Sequence, residues 1–288
     1  MNFNFCDDDP RSLHIEKELQ RRGCKTRDHG GFCVSFMEDM LPTNSLNNGW
    51  ITHDEAALWT CKNLYYSRLG IEHLMWKNRF EKISIPWNDF VIKPTPSHEI
   101  SAKTRRGSTK QVIDFLAKNN HEWNGIDGFI IQPKIKHDES VWIFTLWDSR
   151  GIPGHLWFST EKEHGVRHRL EEILLRECGR IGIELGLKRW MTFMEFLVLG
   201  DQVWFIDLNP RLPGDDDWHE LVYAHLTGRS LGADIATMML DDALPPCVKS
   251  ENVVLESEWD GKPISENQRL WEYGDGYKQR PVLTFTKK

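Results

Sequence analysis

A length of 288 residues allows one or two domains, and the formal net charge of −7 argues against general binding to nucleic acids or to anionic membrane surfaces. The sequence has no apolar run of membrane-spanning length and no signal-peptide pattern, so we expect a cytoplasmic protein. The six cysteines form no CxxC pair, which favours free thiols over disulfides or a zinc site.

The N-terminal region predicts a strand, a helix and a second strand. Apolar runs and turn signals place these elements at Met1–Phe5, Ser12–Arg22 and Phe32–Phe36. Three aspartates, Asp7 to Asp9, precede the helix. We interpret them as a solvated helix N-terminus rather than a cation site.

A longer helix is predicted from Thr52 to Leu69. The Thr52-His53-Asp54-Glu55 sequence has N-cap chemistry, and Gly70 ends the helix. Lys62 lies on this helix. The residue pattern alone indicates a surface lysine.

A short apolar strand is predicted at Asp89–Pro94, and it carries Lys93 near its end. Burying this ammonium group requires an anionic partner. The stretch from Thr95 to Lys110 is predicted to be a loop rich in hydroxyls and cations. Two interpretations stay open: the loop folds over phosphate oxygens, or it is a solvated basic loop.

The middle of the chain predicts antiparallel strands followed by a long helix. The strands are expected at Gly128–Ile135, Val141–Trp147 and Leu156–Phe158, and the helix at Glu161–Leu187. His168, near the start of that helix, is interpreted as a surface histidine, with a phosphate contact as the alternative. Further helices are predicted up to Met239, and then turns and short strands. The pattern as a whole indicates an α+β fold.

The segment from Met191 to Arg211 predicts a β-hairpin, because two apolar runs flank a turn signal at Gly200-Asp201-Gln202. A three-residue loop would place Glu195 directly opposite Asp207 and on the face that also carries Asn209. A two-residue loop would turn Glu195 away. Carboxylates on a half-buried face need a compensating charge. Since Mg²⁺ is usually held by one or two carboxylates plus phosphates, the hairpin predicts a metal–nucleotide site.

Three segments together resemble the ATP-grasp superfamily of ATP-dependent ligases over roughly residues 60–240. They are FVIKP, which ends at Pro94, then IIQPKI followed by HDES, and MEFLVLGDQVWFIDLNPR, which ends at Arg211. The resemblance implies an α+β ATP-grasp fold in which two lobes clasp the nucleotide. It implies a reduced N-terminal α/β segment at 1–60, a small lobe at 61–135, and a large lobe with C-terminal strands at 136–288.

The resemblance also implies roles for the matching positions. Lys93 would bind the α- or β-phosphate, and Lys62 would be the earlier lysine of the helix that leads to the nucleotide lobe. The main chain of a hinge around Gln132 to Ile135 would meet adenine, and Glu139 would meet the ribose hydroxyls. It thus implies ATP contacts by Lys62, Lys93, Arg106, Gln132, Lys134, Ile135 and Glu139. It further implies that two Mg²⁺ ions, with Mn²⁺ as the alternative, are held by Glu195, Asp207 and Asn209, and that Arg211 faces the transferred phosphoryl group.

The implied activity is that of an ATP-dependent carboxylate–amine or carboxylate–thiol ligase with an acyl-phosphate intermediate. Small-molecule or peptide carboxylates and amines would be its substrates, and a homodimer is compatible with it. A small-molecule kinase and a non-catalytic nucleotide-binding module are the alternatives.

The chain departs from the family pattern at two of these positions. Asp207 stands where glutamate is more usual, and Gln132 where an acidic residue is common. Asp215 to Asp217 either attract a cationic amine or form a solvated loop.

Overall fold

The computed structural model describes residues 1–5, 12–27, 31–34, 50–76, 84–95, 105–108, 128–165, 168–212, 218–246, 251–258, 260, 263–270 and 281–287. The helices are α1 (Leu13–Arg21), α2 (His53–Thr60), α3 (Lys62–Leu69), α4 (Glu171–Leu185), α5 (Trp218–Thr227) and α6 (Leu231–Asp241). The strands are β1 (Phe3–Phe5), β2 (Phe32–Val34), β3 (Leu74–Trp76), β4 (Asp89–Pro94), β5 (Arg105–Ser108), β6 (Phe129–Pro133), β7 (Glu139–Trp147), β8 (Pro153–Thr160), β9 (Glu163–Gly165), β10 (Trp190–Leu199), β11 (Gln202–Asn209), β12 (Asn252–Glu258), β13 (Gln268–Leu270) and β14 (Pro281–Lys287).

Two antiparallel sheets organise the described residues. The larger sheet has the strand order β11-β10-β7-β8-β9-β12-β14-β13, and the smaller one has the order β3-β6-β4-β5. A separate parallel pair, β1 with β2, lies near the N-terminus. The α+β class is confirmed, as are the hairpin and the N-terminal strand–helix–strand pattern. Within the described residues, no helix is long and apolar enough to cross a bilayer.

The smaller sheet has two different faces because its side chains alternate. One face carries Phe90, Ile92, Phe129 and Ile131, which form an apolar cluster with Trp76. The opposite face carries the alternate residues of β4 and β6. It is directed at the larger sheet, where it presents Val91, Lys93, Ile130 and Gln132.

The predicted helix from Thr52 to Leu69 is wrong in one respect, since it is broken into α2 and α3. Its start is as predicted, with a reciprocal capping box between Thr52 and Glu55. The break lies at Cys61, whose backbone is extended (φ −95°, ψ 110°). The Lys62 N–H bonds to the Thr95 carbonyl oxygen at 2.9 Å instead of continuing the helix. A tertiary hydrogen bond thus fixes the start of α3 beside the end of β4.

Two further predictions are corrected where strand pairing prevails over local propensity. The helix expected from Glu161 begins only at Glu171, because β9 pairs with β8 and β12 and extends the larger sheet. The stretch from Thr95 to Lys110, expected to be a loop, contains β5, which pairs with β4 along the edge of the smaller sheet. Nothing in either local pattern predicts these pairings.

Helix α4 lies so close to the larger sheet that one of its positions has no space for a side chain. A Cβ atom built at Gly182 would lie 2.1 Å from the Trp147 ring of β7. Gly179, one turn earlier on the same helix, has no heavy atom within 4 Å of such a Cβ atom.

We therefore expect Gly182→Ala to lower the free energy of unfolding by about 1–3 kcal/mol through overpacking. Gly179→Ala is the matched control and should be neutral or stabilising by up to ~1 kcal/mol, because alanine favours helix. Denaturant unfolding of both variants makes the comparison. Equal stability of the two variants would contradict this close packing of α4 on β7.

Candidate active site

Strands β10 and β11 pair in the predicted register at Glu195 and Asp207, but the loop length and the β-bulge that produce this register were not predicted. Leu199 pairs with Gln202, so the loop has two residues rather than three, and Gly200 occupies its first position with φ +59°. The register then shifts by one between Glu195 and Phe196, where a β-bulge at Ile206 inserts an extra residue into β11. Glu195 consequently lies opposite Asp207. The expectation that a two-residue loop would turn Glu195 away is wrong, because the bulge brings Glu195 back to the face of the sheet that carries Asp207.

Glu195 is a half-buried carboxylate in the middle of β10, the strand next to the edge strand of the larger sheet. Its cross-strand neighbours are Asp207 on one side and Trp142 of β7 on the other. Burial raises the pKa of Glu195, and the charge of Asp207 raises it further. The charge of Lys93 and a hydrogen bond from Trp142 lower this pKa without cancelling the increase. The negative charge of Glu195 is therefore costly in the ligand-free protein.

The pKa of Asp207 is shifted in the opposite direction from that of Glu195, because α3 supplies hydrogen-bond donors to this carboxylate. The Lys62 ammonium and the Tyr65 hydroxyl both donate to its Oδ1 atom, each at 2.7 Å. Burial alone would raise the pKa of Asp207, but the charges of Lys62 and Lys93 and these two hydrogen bonds lower it overall. Lys62 is only 5% exposed, so the interpretation of it as a surface lysine is wrong.

The bulged residue Ile206 connects the two sheets. Its carbonyl oxygen accepts a hydrogen bond from the Lys93 ammonium at 2.9 Å and another from the Tyr66 hydroxyl. Lys93 is 7% exposed. Lys93, at the end of the predicted strand, is thus buried. It lies near Glu195 and Asp207, and its charge lowers the pKa of both carboxylates.

The end of β6, just before the segment that leads to β7, carries a buried amide oxygen without a partner among the described residues. Gln132 is 5% exposed, and its Oε1 atom has no hydrogen-bond partner among the described residues. Lys134 and Ile135 follow it, with the Lys134 side chain exposed and that of Ile135 half-buried. The Lys134 N–H bonds to the Asp89 carbonyl oxygen at 3.1 Å. An unsatisfied buried acceptor is costly, which fits a position that a ligand donor completes.

Glu139, at the start of β7, is held by two basic residues. The backbone N–H of Leu170 donates to His168 Nδ1 at 3.1 Å, so the ring proton resides on Nε2, and Nε2 donates to Glu139 Oε2 at 3.3 Å. Arg169 Nη2 lies 3.9 Å from the same oxygen. The His168 side chain is 8% exposed. The interpretation of it as a surface histidine is therefore wrong.

The remaining candidate residues lie around this centre. Asn209 is half-buried opposite Phe193, and its side chain makes no hydrogen bond within the described residues. Arg211 is half-buried, and its Nη1 donates to the Leu212 carbonyl oxygen at 3.3 Å. Arg106 of β5 lies in register opposite Val91 of β4. The aspartates at 7–9 and 215–217 lie outside the described residues.

Three residues at this site were not predicted from the sequence: Tyr65, Tyr66 and Trp142. The tyrosines lie three and four positions after Lys62, so all three share one helical face. That spacing was a usable signal, but it locates a site only if the face is known to be buried. Trp142 had no such signal, since its role follows from the pairing of β7 with β10.

The donor set fits a cation that arrives with a nucleotide. No group of three or more His, Cys, Asp or Glu side chains is arranged to hold a metal within the part of the chain that the structure describes. The site instead offers Glu195, Asp207 and the Asn209 amide. Mg²⁺ commonly takes one or two carboxylates and completes its shell with phosphates and water. A preformed protein cage is therefore not required.

Comparison with known proteins places the chain by its fold. No protein-family model matches the sequence, and no curated protein matches it. Among solved structures, L-amino acid ligase from Bacillus licheniformis matches with a TM-score of 0.68 and 12% identity, over 100% of this chain and 93% of that one. N5-carboxyaminoimidazole synthetase from Staphylococcus aureus, complexed with ADP, matches with a TM-score of 0.71 and 9% identity, over 100% and 93% of the respective chains.

Biotin carboxylase from Campylobacter jejuni, in its β,γ-ATP complex, matches with a TM-score of 0.64 and 9% identity, over 99% of this chain and 87% of that one. At this level of identity the likeness concerns the fold alone. The chain has the ATP-grasp fold, as the resemblance of its three segments predicts.

The opposite electrostatic balance of the two carboxylates predicts opposite effects of neutralising them. The folded-state pKa of Glu195 is raised, so its protonation stabilises the fold below the unfolded pKa, and this contribution is lost as the pH rises through the folded pKa. Glu195→Gln should therefore raise the melting temperature at pH 7 by roughly 2–4 °C, as expected for about 1 kcal/mol. This advantage should shrink towards pH 4.

The folded-state pKa of Asp207 is lowered, so its charge stabilises the fold above the unfolded pKa, and this contribution is lost as the pH falls through the folded pKa. Asp207→Asn should lower stability at pH 7 by about 3 kcal/mol, because it breaks a buried ion pair. Thermal melts of both variants from pH 4 to pH 8 make the measurement. Shifts of the same sign at pH 7 would contradict the assigned balance.

Proposed function

We propose that the protein is an ATP-dependent ligase that activates a carboxylate as an acyl phosphate and joins it to an amine or a thiol, with release of ADP and phosphate. One observation carries this proposal: two buried lysines and two carboxylates, contributed by α3, β4, β10 and β11, converge at Ile206 and Asp207. The lysines suit the phosphates of a nucleotide, and the carboxylates suit the divalent cation that such a nucleotide brings with it.

The nucleotide would lie between the two sheets. The adenine would meet the hinge from Gln132 to Ile135, where the unsatisfied Gln132 Oε1 suits the donating amino group of a purine. The ribose hydroxyls would donate to Glu139, which His168 orients. Lys62 and Lys93 would then exchange their present partners for phosphate oxygens, together with Arg106.

Glu195, Asp207 and Asn209 are the residues that would hold Mg²⁺ or Mn²⁺, which would supply positive charge against the phosphates. A cation would relieve the repulsion between Glu195 and Asp207. It would also compensate Asp207 when Lys62 moves to a phosphate. Arg211 would face the transferred phosphoryl group, where a fixed guanidinium stabilises developing negative charge.

Two alternatives have different consequences. A small-molecule kinase would use the same nucleotide contacts but leave phosphate on its acceptor. A non-catalytic module would not need Glu195 as a charged residue on a face where its charge is costly, and this cost favours an enzyme. The proposal extends to a cytoplasmic protein with a reduced N-terminal segment at 1–60, a small lobe at 61–135 and a large lobe at 136–288. A homodimer is compatible with it.

The activity is tested by measuring ADP and inorganic phosphate together. The protein is incubated with MgATP and pools of carboxylates and amines, beginning with amino acids because one similar structure is an L-amino acid ligase. Equal amounts of ADP and free phosphate that require both a carboxylate and a nucleophile would support the ligase. ADP without free phosphate would indicate the kinase. Asn209→Ala should lower turnover at least 100-fold, and unchanged turnover in this variant would contradict the metal assignment.

Nucleotide binding is tested separately by thermal shift. We expect MgATP to raise the melting temperature of the protein, and EDTA to abolish most of the increase. Several solved structures with a similar fold contain ADP or MgADP. Lys93→Ala should reduce the shift strongly, whereas Lys136→Ala, which changes an exposed hinge lysine, should not. No shift at millimolar MgATP would contradict nucleotide binding.

A further inference from the structure

The carboxylate of Asp207 is held in a strongly asymmetric way. The Lys62 ammonium, the Tyr65 hydroxyl and the backbone N–H of Leu208 all donate to Oδ1, at 2.7, 2.7 and 3.0 Å. Within the described residues Oδ2 accepts no hydrogen bond. One oxygen is therefore saturated by the protein while the other is left for a ligand.

The three donors are not equivalent when a cation approaches. Lys62 carries a positive charge, which repels a cation and is attracted by phosphates. The Leu208 N–H belongs to the backbone next to Asp207, so the chain itself keeps this donor close to the carboxylate. Tyr65 is a neutral donor, because burial foremost and the charge of Asp207 next raise its pKa well above the ordinary value. Of the two side-chain donors, only Tyr65 suits both the ligand-free and the metal-bound site.

The packing of Tyr65 fixes the position of its hydroxyl. The residue is fully buried, and its ring meets the rings of Tyr66 and Phe205 edge-on, with centroids 5.2 and 6.0 Å away. Its backbone belongs to α3, which is anchored at its first residue by the Lys62 N–H bond to Thr95. A donor with this little freedom can determine the orientation of the carboxylate it contacts.

We propose that Tyr65 is a positioning residue that keeps Oδ1 of Asp207 occupied and so presents Oδ2 to a divalent cation, while Lys62 compensates the charge until that cation binds. This inference rests on the proposed metal–nucleotide site. It also accounts for aspartate at this position, since a short carboxylate anchored through one oxygen retains little freedom in the other.

The test compares Tyr65→Phe with Tyr66→Phe, because each substitution removes one hydroxyl from neighbouring buried rings that both bond to β11. The Tyr66 hydroxyl reaches a backbone carbonyl and not a carboxylate. Binding of Mn²⁺ at saturating ADP is measured by electron paramagnetic resonance, and folding is monitored by thermal melts. We expect Mn²⁺ affinity to fall about 10-fold in Tyr65→Phe and to change less than about threefold in Tyr66→Phe. Melting temperatures should fall in both.

Equal Mn²⁺ affinity in Tyr65→Phe and the unaltered protein would overturn the proposal, as would equal losses in the two variants, which indicate a merely structural role. An unaltered protein that binds ADP but no Mn²⁺, or neither of them, would overturn this inference and the metal–nucleotide site together. Should Tyr65→Phe not fold by itself, it is combined with Gly179→Ala, the helix position at which alanine meets no heavy atom within 4 Å and should be neutral or stabilising. The same outcomes then decide, with Gly179→Ala alone as the reference.

Discussion

The ion pair between Lys62 and Asp207 is the interaction on which the rest of the site depends. It joins α3, which follows the N-terminal part of the chain, to the edge strand of the larger sheet. Buried ion pairs are expensive, and apolar side chains of similar size often stabilise a fold equally well or better. Here the pair lies beside Lys93 and Glu195, so two positive and two negative groups share one small region. This arrangement of two positive and two negative groups suits a ligand that carries both anionic phosphates and a cation.

The bulge at Ile206 gives these charges their geometry. Without the extra residue, the two-residue loop would place Ile206 opposite Glu195, and Asp207 would lie one position out of register. The bulge also leaves the Ile206 carbonyl accessible to Lys93 and Tyr66, which come from different parts of the chain. One inserted residue therefore aligns two carboxylates and provides a hydrogen-bonded contact between the smaller sheet and the larger one.

The predictable features were those that depend on local pattern. The hairpin, the strand that ends near Lys93 and the face shared by Asp207 and Asn209 follow from alternation and turn signals. The burial of Lys62 and Tyr65 does not, because it depends on which face of α3 meets β11. The break at Cys61 and the strand β9 are also set by distant partners, the Thr95 carbonyl and the strands β8 and β12. Long-range pairing was thus the missing information.

The two carboxylates have different tasks because their surroundings differ. Asp207 is supplied with donors from α3 and stays charged without any ligand. Glu195 has one indole donor and a negative neighbour, and its raised pKa means that its charged form is less favourable than that of a solvated glutamate. In the proposed metal site, cation binding would have to stabilise the charge of Glu195 as well as replace Lys62 at Asp207, because a metal ligand must be deprotonated. Under this proposal the ligand-free site is already a stable part of the fold, and the cation and nucleotide would complete its charge balance.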